Sequence, residues 1–353
     1  MLSGLRKKGA FIALLFAFSL VAAACGDDDG GSTTAAAASD TLICEVTDVG
    51  GVDDKGFNAS AWAGAQRAAA DFGADPKVLE SQAETDYQVN LNSFIDQECD
   101  LIVTVGFLLG DATLEAAQSA PDTPFTIVDF AYDEPPANLK GLVFNTDEAA
   151  FLAGYLAAGM TQTGKVGTFG GVNIPPVTIF MNGFARGVAY YNAEKGTAVE
   201  VLGWDPDTQE GSFTNNFESL DDGRAFAQSL VDEGADIVMP VAGPVGLGSA
   251  SLASELGTFS MIGVDVDGYD ADPNNSAVYL TSVLKRIDNA VYAAADEAIN
   301  STFTSELYVG SLSNEGVGLA PFHDFNSEVP QELKDEIDAL RQAIIDGDVS
   351  VGG

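Results

Sequence analysis

A chain of 353 residues carries 53 acidic side chains against 15 Lys and Arg and one His, a formal net charge of −38 at neutral pH. A surface this negative repels phosphate backbones and anionic bilayers, which argues against nucleic acid as a partner and fits a protein kept soluble in salty surroundings. With 46% apolar residues there is ample material for a core, and the length exceeds that of a usual single domain, so two domains are expected.

The first elements concern location. Arg6, Lys7 and Lys8 precede an apolar stretch over 10–24, interrupted only by Ser19. It is shorter than the ~20 residues a spanning helix needs and has the flanks of a secretory signal peptide over 1–24. It ends in Ala22-Ala23-Ala24-Cys25, which resembles a bacterial lipobox, where the cysteine receives a lipid and becomes the mature N-terminus. Ala22 stands where leucine is usual, and the alternative is an ordinary signal cleaved nearby with Cys25 incidental. Residues 26–39 hold Gly, Asp, Ser, Thr and Ala with no large apolar side chain, and with Cys25 the span 25–40 reads as a flexible tether. A lipid, a tether and a folded body describe a protein anchored on the extracytoplasmic face of the cell membrane. Cys44 and Cys99 are exported and free to bridge, but both abut predicted buried strands, and two buried thiols are expected.

From residue 41 short apolar runs alternate with amphipathic segments. Strands are predicted over 41–47, 77–80, 100–105, 125–129 and 142–144, with helices over 57–72, 87–97 and 111–120 between them. The alternation then begins afresh: helix 147–160, strand 165–170, helix 176–194, strand 198–203, helix 221–233, strand 236–241, helix 245–256 and strand 260–264. Strand 277–283 and helix 286–300 follow, and a last helix covers 331–345. Such alternation predicts an α/β fold, doubly wound parallel sheets covered on both faces. Two successive units with no linker suggest lobes facing each other across a cleft.

Open α/β sheets gather ligands at the carboxyl ends of their strands. Those ends carry Asp48, with Phe57 and Asn58 at the mouth of the next helix, then Gly106, Phe107 and Asp129. In the second unit they carry Gly170-Gly171, Phe213 in a loop, Gly243 and Asp265, with Lys285 after the strand at 277–283. Aromatic faces stack on flat rings, while carboxylates accept from hydroxyls and a lysine donates. A nucleoside would use both sets, and so would a sugar.

The stretch "TDVGGVDDKGFNASAW" resembles the signature of the basic membrane lipoprotein family, the PnrA-like or Bmp group of nucleoside-binding lipoproteins that feed ABC importers. "AAFLAGYLAAGMTQTGKVGTFGG", "NIPPVTIFMNGFARGV", "GSF", "GADIVMPVAG", "IGVDVDG" and "TSVLKRIDNAV" follow in family order. The resemblance implies a type I periplasmic binding protein fold, two lobes joined by a three-segment hinge. The first lobe is expected over 41–145 plus about 285–305, the second over 146–284 plus about 306–353. It implies that Phe57 and Phe213 sandwich a base, that Asp48 and Asn58 bond its edge, and that Asp129, Asp265 and Lys285 hold ribose hydroxyls with Gly243 close by. It implies an ABC permease as partner and no cofactor; a monomer is expected, with the lipid on Cys25 that the lipobox predicts. Gly56 where serine is usual, and Pro244-Val245 in place of a glycine/threonine pair, depart from the family pattern and bear on selectivity.

Competing readings stand beside these. Of Asp53 and Asp54, one reads as the cap of the following helix and both as solvated, rather than as a catalytic pair. The acids over 265–272 have a calcium-loop flavour, but Ser276 stands where the closing glutamate belongs. Gly167, Gly170 and Gly171 lack the Lys-Ser/Thr of a phosphate loop. His323 belongs to no triad and reads as structural, Trp62 and Tyr155 as core. The function expected is capture of a purine nucleoside. A sugar or other polar metabolite is the alternative, and a nucleoside hydrolase or a cytoplasmic ligand-sensing regulator fits less well.

Overall fold

In the computed structural model residues 41–352 are described; the leader over 1–24, Cys25 and the whole tether up to 40 lie outside them. The first lobe opens with β1 (Leu42–Thr47), α1 (Phe57–Phe72), β2 (Asp75–Leu79), α2 (Tyr87–Ile95), β3 (Leu101–Val105), α3 (Gly110–Ser119), β4 (Phe125–Val128) and β5 (Leu139–Phe144). β3 and β4 are buried at every position, as parallel strands covered on both faces must be. The chain then crosses into the second lobe: α4 (Thr146–Met160), β6 (Lys165–Gly170), α5 (Pro175–Lys195), β7 (Glu200–Leu202), β8 (Trp204–Asp205), β9 (Glu210–Gly211), α6 (Leu220–Asp232), β10 (Ile237–Val241), α7 (Val245–Leu256), β11 (Ser260–Asp265), α8 (Gly268–Ala271) and β12 (Tyr279–Lys285). It returns for α9 (Ile287–Ile299) and β13 (Tyr308–Gly310), and crosses a third time to β14 (Val317–Leu319) and α10 (Gln331–Ile345).

The first sheet runs β13-β5-β4-β3-β1-β2, all parallel, and the second β14-β12-β11-β10-β6-β7, parallel but for β14. Two doubly wound lobes are thus joined by three segments. β13 pairs with β5 from Tyr308 to Gly310, so the first lobe extends past the expected 305, and the last crossing follows Gly310. β8, β9, β13 and β14 are two or three residues long, too short for a period to announce.

Two local features fasten the lobes. α4 and α5 meet backbone to backbone in the second: a Cβ at Gly154 would lie 2.0 Å from the Phe184 carbonyl oxygen, and one at Gly187 2.0 Å from that of Phe151. In the first, Cys44 and Cys99 are joined by a disulfide, which corrects the expectation of two thiols. β1 and β3 are parallel neighbours with Cys44 opposite Ile102, which brings the two Cα atoms to 6.1 Å, inside the bridging range.

Candidate functional site

The winding of each sheet reverses beside its first strand, between β1 and β3 in one lobe and between β6 and β10 in the other. The carboxyl ends of these strands face one cavity, which holds about 630 Å³ between atoms, part of it open to solvent. That is within the range of small-molecule sites.

β1 delivers Asp48, whose Oδ1 accepts from Gly50 N at 3.1 Å and from Asn58 Nδ2 at 2.8 Å. Burial pushes the Asp48 carboxyl up to about 6 against those hydrogen bonds. Gly106 at the end of β3 has φ 121°, and a Cβ there would lie 2.8 Å from Asp48 Oδ2, so only glycine lets the two strand ends close on the acid. Asp54 caps α1, accepting from the backbone N–H of Gly56, Asn58 and Ala59 at 2.8–3.0 Å. That bears out the capping reading, but Asp54 is buried rather than solvated, because it also lines the cavity. Asn58 Nδ2 reaches Asp54 as well, at 3.3 Å, so this amide orients two acids.

The hinge delivers the amine. Lys285, the last residue of β12, places Nζ 2.5 Å from Asp129 Oδ2 and 4.0 Å from Asp265 Oδ1. The ammonium also lies 4.7 Å from the ring centre of Phe57, with Phe144 and Phe180 at 5.4 and 5.8 Å, a cage that holds a desolvated cation. Asp129 and Asp265 close β4 and β11 with φ of 70° and 67°. Non-glycine residues persist in that left-handed region only where their surroundings fix them, often at ligand sites. Burial raises both carboxyls, Asp265 to about 6, while Lys285 pulls the other way.

Seven of the expected site residues therefore meet: Asp48, Phe57, Asn58, Asp129, Gly243, Asp265 and Lys285 all line the cavity. Gly243, with φ 53°, has open space where a Cβ would stand. Phe213 does not join them. Its ring lies edge-on to Trp204, with centres 5.8 Å apart, and fills the space beside Gly170. Phe217, packed against Gly171, and Phe180 of α5 line the cavity from the second lobe instead. Phe217 stands four residues on in the same loop, where no periodicity tells which ring faces inward. Phe180 was hidden in the apolar pattern of its helix.

Of the remaining acids of 265–272, Asp270 is exposed, and the other two are held by neighbours. Asp267 accepts from Tyr269 N at 3.1 Å and pairs with His323 Nε2 at 2.7 Å; Asp272 takes Asn275 and Lys55. His323 stacks on Tyr269 with centres 4.0 Å apart. No cluster of three metal-ligating side chains occurs among the described residues.

Residues 43–353 match the family described as ABC transporter substrate-binding protein PnrA-like (Bmp). Among curated relatives, a CD4+ T-cell-stimulating antigen of Listeria monocytogenes is 32% identical over 96% of each chain. Basic membrane protein A of Borreliella burgdorferi is 32% identical over 86% of this chain and 85% of its own length. The ABC transporter nucleoside-binding protein BmpA of Lactococcus lactis is 29% identical over 96% of this chain and 97% of its own. A solved ABC transporter solute-binding protein from Aeropyrum pernix superposes with a TM-score of 0.80 at 26% identity, covering 88% of this chain and 92% of that one. The fold is that of the type I periplasmic binding proteins, and the role is binding rather than catalysis. The chain belongs to the Bmp family of PnrA-like ABC transporter substrate-binding proteins.

Proposed function

We infer that this chain, like other substrate-binding proteins of its family, takes a small-molecule ligand and has an ABC permease as its partner. We propose that the ligand is a nucleoside, held between the lobes, and that Cys25 carries a lipid that tethers the protein outside the cell membrane. The observation that carries the reading is the union, in one interlobe cavity, of aromatic rings from both lobes with four acids and one caged lysine. Phe57 offers one face to a base, with Phe217 or Phe180 rather than Phe213 opposite. Asp129, Asp265 and Lys285 take the vicinal hydroxyls of the pentose, and Asp48 accepts from the base edge.

Four carboxyls against one ammonium make the cavity hostile to phosphate, which favours a nucleoside over a nucleotide. A purine offers the larger stacking area. The Lactococcus lactis relative, an ABC transporter nucleoside-binding protein, supports a nucleoside of either base class. The test is a panel of melting curves with nucleosides, nucleotides, free bases and sugars, in which a ligand at 100-fold its Kd stabilises by about 2.7 kcal/mol. Inosine, guanosine or adenosine should raise the transition while their 5′-phosphates do not. Stabilisation by ribose or another sugar alone would replace this reading with that of a sugar receptor. For the anchor, mass spectrometry of the mature N-terminus should find the lipid on Cys25, and Cys25→Ala should release the protein from membranes.

A further inference from the structure

We propose that Lys55 and Asp272 form a clasp across the cleft that governs how long a ligand stays bound. Lys55 stands in the β1–α1 loop of the first lobe, one residue after the α1 cap Asp54 and two before Phe57. Asp272 follows α8 in the second lobe. Lys55 Nζ lies 3.3 Å from Asp272 Oδ1. Among the described residues the other ion pair between cleft faces is that of Lys285 with Asp129, deep at the hinge.

The two partners differ in a telling way. The Asp272 side chain is 4% exposed and that of Lys55 42%. Asp272 is built into its lobe: Oδ2 accepts from Asn275 Nδ2 at 2.7 Å, and its backbone N–H bonds the Gly268 carbonyl at 3.0 Å. Lys55 is the exposed half, a long side chain reaching over from a loop whose backbone is left-handed at that residue, φ 57°. A separation of the lobes would leave a buried carboxylate without its cation, so the pair favours contact between them.

The pair also covers a passage. A second cavity, lined by Lys55 and Gly56 from one lobe and by Gly246, Asp272 and Tyr279 from the other, shares Asp54, Gly243, Val264 and Asp265 with the ligand cavity. Its walls come from both lobes, so it opens as they part. A charge pair that spans the two lobes beside the ligand cavity has to break before they separate, and so acts chiefly on escape. The inference rests on this cavity being the ligand site, whichever small molecule fills it.

The test is a double-mutant cycle of Lys55→Met, Asp272→Asn and both together, in the full chain. The first readout needs no ligand: spin labels on the exposed Val89 of the first lobe and Ser229 of the second report the interlobe distance distribution. The second is stopped-flow dissociation of whichever compound stabilises the wild type. Each single variant should widen the distance distribution and raise the off-rate about 3–10-fold with the on-rate nearly unchanged, and the double variant should match either single one. High salt should raise the wild-type off-rate and leave the variants unmoved. Additive effects of the two substitutions, or an unchanged distance distribution and off-rate in both, would overturn the clasp. Should no nucleoside bind, the distance measurement still decides it, so the two readings fail separately.

Discussion

Burial acts on the cleft carboxyls in one direction. Asp48 and Asp265 are each raised to about 6, whereas an aspartate in the unfolded chain titrates near ~3.9. Between those values the folded state holds the extra protons, so these groups lower stability as pH rises through that window and cost nothing below it. For ligand binding the sign reverses, since an ionised carboxylate accepts from hydroxyl and N–H donors and a protonated one loses that capacity. Affinity should therefore fall as pH is lowered through about 6, approaching tenfold per unit for each group involved. Calorimetric titration at three pH values checks this, and a flat profile would remove both acids from ligand contact. Glu45 tests the same physics away from the cleft. It lies fully buried in β1 with neither carboxylate oxygen hydrogen-bonded, and burial first, Asp54 second, holds its carboxyl well above the usual range. Folding thus favours its protonated form, and the penalty grows as pH rises. Glu45→Gln should stabilise the protein by about 1–3 kcal/mol at pH 8 and by little at pH 5, as read by denaturant titration.

Helices and strands carry a different set of expectations. Gly187→Ala would drive a methyl to 2.0 Å from the Phe151 carbonyl oxygen and pry α5 from α4, a cost beyond the usual ~1–3 kcal/mol of overpacking. Gly196→Ala, at the left-handed end of α5 with nothing near its Cβ, should cost only about 1–2 kcal/mol. Equal melting shifts would mean the helix crossing is not tight. The Cys44–Cys99 bridge ties the amino-terminal end of β1 to the segment entering β3, at the opposite end from the ligand cavity. Replacing both cysteines by alanine should cost about 2–5 kcal/mol while leaving ligand affinity unchanged. Much of this architecture was legible: runs such as Leu101–Val105 mark buried parallel strands, and once strands are placed their carboxyl ends name Asp48, Asp129 and Asp265. The bridge was not legible, because the adjacency of β1 and β3 is a property of sheet order. Nor was the exchange of Phe213 for Phe217, because ring direction in an irregular loop follows no period. β13 escaped notice because three residues ending in Gly310 carry too little pattern.

Across the molecule, acidity and hinge act together. With 53 acids against 15 bases, self-repulsion works against the folded state, and salt screens it over a Debye length that shrinks from about 30 Å at 0.01 M to about 3 Å at 1 M. Melting temperature should therefore rise with sodium chloride over that range, although the few ion pairs weaken. The same field distinguishes ligand classes. A neutral solute approaches a charged protein without steering, whereas a cation is drawn in and an anion held off, each with an on-rate that depends on ionic strength. If the cavity serves an uncharged nucleoside, its association rate should stay constant from 0.01 to 1 M salt within about twofold. The dissociation rate should climb over the same range, because the Lys55–Asp272 pair spans the lobes and its lysine is open to screening. An association rate that falls with salt would instead identify a cationic ligand, for which the four cleft carboxyls would be the attraction rather than hydrogen-bond acceptors.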